Sequence, residues 1–174
     1  MFTHKTLSWI VLVCGITAAP ILAAQNLGVP VDESQLKGFD LVAGPDGIGF
    51  PAGSGTAKQG KTVFDSKCAA CHAVTGEGVS GNTRLVGGDM QSEGTPLRTV
   101  GSYWPHASTL FDFIRRAMPA NAPKSLSNEE VYQATAYVLF LNNIIGEDTV
   151  IDKEALSKLV MPNADGFIDQ SHLQ

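Results

Sequence analysis

The chain has 174 residues, 44% of them hydrophobic and 17% charged, with 12 Lys and Arg against 17 Asp and Glu and a formal net charge of −5. That length fits one modest globular domain with extensions. The acidic balance argues against nucleic acid or anionic lipid as partners and permits a basic docking partner.

At the N-terminus an apolar run from Leu7 to Ala19 follows His4 and Lys5, and the small residues Ala23 and Ala24 come after it. This pattern predicts a secretory signal peptide over residues 1–24, cleaved after Ala23 or Ala24. The stretch from Leu7 to Ala24 is only just long enough to serve instead as an uncleaved anchor. Lipid attachment at Cys14 is disfavoured because Val13 stands where a small residue is wanted. Cleavage removes Lys5 alone among the ionised side chains, which leaves 11 basic against 17 acidic groups and a net charge of −6.

Residues 25–55 read as an irregular leader, interrupted by Pro30, Pro45 and Pro51 and by the turn cluster Gly44-Pro45-Asp46-Gly47. Its short apolar pieces, Phe39-Asp40-Leu41-Val42 and Ile48-Gly49-Phe50, are too brief for a second domain and are expected to wrap over the next one or over a partner. Gly53-Ser54-Gly55 closes the leader as a hinge. Thr56 then caps a predicted helix to about Lys67, with Ala57, Gly60, Phe64 and Cys68 on one face. A glycine inside that face costs about 1 kcal/mol against alanine, so it predicts the close approach of another backbone.

Cys68-Ala-Ala-Cys71-His72 follows, the attachment signature of a c-type haem. Two thiols at this spacing can add to the vinyl groups on neighbouring edges of one porphyrin, and the next residue then lies under the iron. His72 is thus the expected proximal ligand. A structural zinc site would need two further ligands at similar spacing, and the only other cysteine is Cys14. A thiol-redox pair would need a βαβ setting, whereas the flanks here read as helical and polar. With both cysteines consumed, no disulfide framework remains, and the haem supplies the cross-link. Haem attachment of this type takes place outside the inner membrane, which places the mature protein in a bacterial periplasm.

From Ala73 to Gly101 the chain is rich in Gly, Ser and Thr and shows no period. So long a loop in a compact domain needs something to wrap around, and haem fills that role. Arg84 and Arg98 are candidate partners for the propionates. Tyr103 and Trp104, in Gly101-Ser-Tyr-Trp-Pro105, can cover the ring while their polar tips reach a propionate. A second helix is predicted from Ser108 to Ala117, with Leu110, Phe113, Ile114 and Ala117 on its buried face and Arg115 and Arg116 in its last turn. Pro119 forbids its continuation and fixes Met118 at its end.

Ser127-Asn-Glu-Glu130 is a capping box opening the strongest helix, about Asn128 to Asn142, with Val131, Ala134, Val138 and Leu141 in a buried stripe flanked by Tyr137 and Phe140. A short helix near Lys153 to Val160 and a tail beginning Met161-Pro162 complete the chain. The domain boundaries follow: a cytochrome domain over 56–145 and a C-terminal extension over 146–174.

Iron with one histidine needs a second axial partner for pure electron transfer, and a thioether raises the potential relative to imidazole. The candidates are Met90, Met118, Met161, His106 and His172. Met118 is the expected ligand, because it follows a packed helix, is well separated from His72 and precedes the closing helix. Met90 lies in a Gly-rich loop, and Met161 comes after the closing helix although a proline follows it too.

Gly60 and Phe64, then Cys68-Ala-Ala-Cys71-His72, then Met118-Pro119 and a helix bearing Tyr137 resemble a class I cytochrome c over about residues 56–143. The resemblance implies an all-α fold in which the first and last helices cross where the glycine admits an aromatic residue. Gly53-Ser-Gly-Thr56, Thr99-Val-Gly-Ser-Tyr-Trp-Pro105, Arg116-Ala-Met-Pro119, Glu130-Val-Tyr132 and Met161-Pro-Asn-Ala-Asp-Gly-Phe-Ile168 further resemble the cytochrome c subunit of sulfite or sulfane dehydrogenases. In those complexes a molybdenum subunit oxidises the sulfur compound and the haem subunit carries the electrons away singly. Two departures stand out. The larger sulfane-dehydrogenase cytochrome has more than one haem-bearing or accessory domain, and this chain has one motif. Many class I members also place a proline shortly after the haem motif to orient the proximal imidazole; here the loop reads Arg84-Leu-Val-Gly-Gly88, which leaves that carbonyl open.

The resemblance thus implies a periplasmic monohaem electron carrier, not an enzyme on its own. It would be the haem subunit or acceptor of a molybdenum dehydrogenase, passing electrons to a downstream cytochrome or oxidase, with no membrane attachment after cleavage. The alternative is a free soluble shuttle to a terminal oxidase or reductase. Catalysis at the haem, as in a peroxidase, needs an open iron and is excluded by ligation through Met118.

Overall fold

A crossing of two helices organises the computed structural model, which describes residues 28–36, 41–79, 84–168 and 170. The expected signal segment, Cys14, Phe39, Asp40 and His172 lie outside the described residues. The chain divides into two units, residues 1–32 and 33–174. Of the first, residues 28–32 are described, and they are exposed and without regular structure. The second carries helices α1 (Glu33–Leu36), α2 (Ala57–Lys67), α3 (Ala69–His72), α4 (Val100–Tyr103), α5 (Ala107–Ala117), α6 (Asn128–Leu141) and α7 (Lys153–Lys158), with strands β1 (Ser54–Gly55) and β2 (Ile151–Asp152). This is the all-α class I cytochrome c fold with one small two-stranded addition.

Helix α2 starts where its capping chemistry dictates. Thr56 Oγ1 accepts the Gln59 amide at 3.3 Å, and Gln59 Oε1 accepts the Thr56 amide at 2.9 Å. Helix α6 repeats the device with Ser127 and Glu130. The two helices meet at Gly60, where an added Cβ would run into the Gln133 carbonyl and come within 2.9 Å of Tyr137 Cβ. The absence of a side chain therefore sets the interhelical distance. Phe64 and Tyr137 pack beside the crossing with ring centroids 5.1 Å apart and planes inclined at 56°. Gly55 approaches the same residue, with the Gln133 amide 2.6 Å from where its Cβ would stand.

The buried stripe of α6 contains Val131, Ala134 and Val138 as the spacing predicts, while Leu141 is only half-buried. Tyr132, Thr135, Ala136, Tyr137 and Leu139 are buried as well. The helix is enclosed on most sides because α2, α5 and both strands pack on it. Helix α5 departs from expectation in phase. Its buried positions are Ala107, Ser108, Leu110, Phe111, Asp112 and Ile114, and Phe113 is 44% exposed. At 100° per residue, Phe111 joins the face of Ala107 and Ile114, which turns Phe113 away from it. Phe111 packs between Phe50 and Tyr132, with centroids 4.9 and 4.6 Å away.

The segments flanking the helical core are integral to it. β1 and β2 pair antiparallel, Ser54 with Asp152 and Gly55 with Ile151, so the stretch read as a hinge is instead fastened to the region after α6. Ile151, Leu156 and Met161 are buried in the same apolar cluster as Phe64 and Phe111. The leader also packs where it was expected to wrap. The Ala43 amide donates to Asp112 Oδ1 at 3.1 Å, and Tyr132 Oη donates to the Pro51 carbonyl at 2.9 Å. Residues 73–99 hold turns and no helix or strand among the described positions. They are tied by side chains: Thr99 Oγ1 donates to the Gly87 carbonyl at 2.5 Å, Ser102 Oγ to that of Leu97 at 2.9 Å and Asn142 Nδ2 to that of Leu85 at 3.2 Å.

Burial acts on Asp112 to raise its carboxyl pKa, but the hydrogen bonds from Arg116 and from the Ala43 amide outweigh it and hold the group below the usual aspartate range. A carboxyl depressed in the folded state contributes stability that is complete above its unfolded value, about 3.9, and is lost as pH falls through the lower folded value. Urea midpoints followed from about pH 6 down to pH 3 should therefore fall for the natural protein, and Asp112→Asn should start lower and fall less steeply. Gly60→Val should destabilise by about 1–3 kcal/mol through overpacking at the crossing, read from the same denaturation curves at neutral pH.

Candidate haem-binding site

Helix α2 ends at Cys68, whose amide donates to the Phe64 carbonyl at 2.8 Å. The chain then makes one tight turn, in which the amides of Cys71 and His72 both donate to the Cys68 carbonyl, at 3.1 and 3.0 Å. The two thiols and the imidazole therefore belong to one rigid unit, α3, whose orientation is inherited from α2. Lys67, immediately before Cys68, reaches Glu130 at 2.6 Å and so ties the start of the motif to the first turn of α6. That contact and the Ser127 amide hold the Glu130 carboxyl below its ordinary range. Past the motif the chain folds back, with the amides of Gly78 and Val79 donating to the carbonyls of His72 and Cys71 at 2.8 and 3.4 Å.

The thiols differ in setting. Cys68 is half-buried and Cys71 exposed, and both are free. Burial pushes the Cys68 thiol up to about 11, against a smaller lowering by Lys67. A thiol-redox cysteine needs the opposite, a depressed pKa in an electropositive setting. Among the described residues no group of three or more His, Cys, Asp and Glu could hold a metal ion. The donor set fits haem instead: two thiols and an imidazole in one turn, next to a long loop without regular structure. Val74, Val79 and Leu97 in that loop keep their apolar side chains exposed.

Met118 is the C-terminal cap of α5. Its amide donates to the Ile114 carbonyl at 3.1 Å, and its backbone leaves the helix in an extended conformation with Pro119 behind it. The side chain is half-buried and packs against the edge of the core, as do Cys68, Leu85 and Trp104. Met161 is 2% exposed and occupied in core packing, which is the ordinary role of a methionine. Met90 is half-buried among turns, and His106 is an exposed helix cap whose backbone bridges to Val160.

Tyr103 and Trp104 lie side by side at the end of α4 but have different partners. The Trp104 ring meets Phe113 edge-on at 5.8 Å. Tyr103 has Phe167 at 5.2 Å and the Arg98 guanidinium over its face at 5.0 Å, and its carbonyl accepts Asn163 Nδ2 at 2.7 Å. The tail thus engages Tyr103, and Arg98 is engaged with an aromatic ring. Arg84 is exposed. Sequence reasoning missed the exposed face of Phe113; a stripe read at positions 107, 110, 111 and 114 would have revealed it.

The family model for cytochrome C oxidase, cbb3-type, subunit III matches residues 55–138. The chain is also similar to a chain in the crystal structure of the sulfane dehydrogenase SoxCD from Paracoccus pantotrophus. The two are 35% identical with a TM-score of 0.78, over 85% of this chain and 73% of that one. No curated protein matches. Through this likeness, joined to the helix crossing and the attachment motif, the chain belongs to the class I c-type cytochromes, which transfer electrons through covalently bound haem c.

Proposed function

We propose that this protein is a periplasmic monohaem carrier of single electrons, serving as the haem subunit or dedicated acceptor of a molybdenum enzyme that oxidises sulfite or a sulfane sulfur. The observation that carries the reading is the reach of the SoxCD likeness. It covers 85% of 174 residues, about 148, whereas the family model spans only 55–138. The likeness must therefore take in much of the leader or tail, which a bare cytochrome domain does not need. The apolar run Leu7 to Ala19 supports export. Among the described residues no helix is long and apolar enough to cross a membrane.

In this reading Cys68 and Cys71 would form the two thioether links, and His72 would ligate the iron. Met118, held at the end of α5, would be its second protein ligand, and Trp104 and Tyr103 would cover the ring from the end of α4. Bound haem would supply a one-electron couple. His72 and Met118 both stand at helix ends, so little would have to move when the charge changes. A saturated coordination sphere leaves no place for a substrate, consistent with transfer of electrons rather than chemistry on a bound molecule. The exposed Phe113 edge beside Trp104 and the acidic surface are available to a partner.

Met118→Ala should retain covalent haem, lose the weak thioether-to-iron absorption band at the red end of the spectrum and bind added imidazole; an unchanged band would assign the ligand elsewhere. An affinity-tagged protein taken from the native periplasm should bring down a molybdenum protein at a fixed ratio. Recovery of the holoprotein alone would identify a free shuttle.

A further inference from the structure

We propose that the leader segment 41–51 is a positioning device for the distal iron ligand, and that Arg115 and Asp112 are the positioning residues through which it acts. This rests on the reading of Met118 as that ligand. α5 has no capping side chain at its start, since His106 makes no cap hydrogen bond, and it ends at Met118 followed by Pro119. One helix–backbone bond, from Met118 to Ile114, fixes the cap itself. Ile114 is buried in the core and Phe113 meets Trp104, and the leader adds polar restraints to this packing of the C-terminal half of α5.

Arg115 Nη1 donates to the Leu41 carbonyl at 3.0 Å and to the Gly49 carbonyl at 2.9 Å, so a single guanidinium closes both ends of the 41–49 turn. Asp112, one turn earlier, accepts the Ala43 amide at 3.1 Å with Oδ1 and takes Arg116 Nε at 2.9 and 3.0 Å on its two oxygens. Phe50 lays its ring against Phe111. Inside the turn, the Gly44 amide donates to the Ile48 carbonyl at 2.9 Å, and an added Cβ at Gly49 would strike the Val42 carbonyl. The turn is thus a closed loop of chain with its own hydrogen bonds, and with Phe50 behind it the leader grips Phe111, Asp112 and Arg115 in the last two turns of α5.

A charged donor on two otherwise free carbonyls is worth more than a neutral pair. Those carbonyls lie more than sixty residues from Arg115 in sequence, so the contact fixes tertiary position and not local helix. The placement of the leader's bonds assigns it a task. It restrains the helix end three residues before Met118, where rotation of the last turn would swing the thioether off its mark.

The test is ligand exchange on the purified ferric holoprotein. Arg115→Leu removes both hydrogen bonds to the leader, and Phe50→Ala loosens the leader from its own side with every residue of α5 left unchanged. Val63→Ala, a core truncation in α2, serves as a control for general destabilisation. Imidazole affinity is titrated, the thioether band is recorded and thermal midpoints are measured for each variant. We expect both leader variants to bind imidazole about tenfold more tightly, a change the size of one or two hydrogen bonds. The band should weaken while haem content is unchanged, and Arg115→Lys should restore part of the effect. Val63→Ala should stay within about twofold at a comparable loss of thermal midpoint. Imidazole affinities of Arg115→Leu and Phe50→Ala no higher than that of the control would overturn the proposal. If Met118→Ala itself leaves the band intact, the ligand assignment falls instead, and the two failures are distinguished by that one variant.

Discussion

The contact of Gly60 with the backbone of α6 at Gln133 is the constraint on which the rest of the molecule depends. Because no Cβ intervenes, α2 and α6 approach backbone to backbone, and Phe64 and Tyr137 can pack ring against ring beside the crossing. The direction of α2 then fixes the turn Cys68–His72 that follows it without a break. The direction of α6 fixes Ser127 and Glu130, and through Lys67 the same turn from the other side. A haem attached to that turn inherits its orientation from a packing event eight residues upstream. Position is thus transmitted to the attachment turn through the helices that carry it.

Met118 is placed by a different part of the structure. α5 packs on α6 through Phe111 and Tyr132, and its far face is gripped by the leader through Asp112 and Arg115. His72 and Met118 therefore stand at the ends of separate helices, α3 and α5. In the proposed reading these two residues would be the iron ligands, and separate rigid supports would suit an electron carrier, in which both donors must stay fixed through a change of charge.

The legible part of the sequence was the part governed by local rules. Thr56 with Gln59 and Ser127 with Glu130 announce helix starts because capping chemistry is contained in four residues, and Pro119 announces a stop for the same reason. The Cys-x-x-Cys-His motif is equally local. Gly60 pointed to a close backbone, although the partner Gln133 lies too far along the chain to be named from spacing. The β1–β2 pair was not legible, since two-residue strands have no period to detect. The phase of α5 was misread for a related reason. Phe111 and Phe113 are equally apolar, and only the presence of Phe50 and Tyr132 on one side decides between them. Arg115 was legible only as a last-turn cation, and its tie and that of Asp112 to the leader were not, because their partners are main-chain atoms of a segment some seventy residues away.

The short ladder joining Ser54–Gly55 to Ile151–Asp152 has a further consequence. It fastens the stretch that enters the cytochrome domain to the stretch that leaves it, and Ile151 is buried at the knot. Neither flank can fray by itself, because peeling one removes the edge against which the other lies. Proteolytic nicking at either flank would accordingly be rare until both open together, and the two sequence extensions behave as one cooperative girdle around the helices.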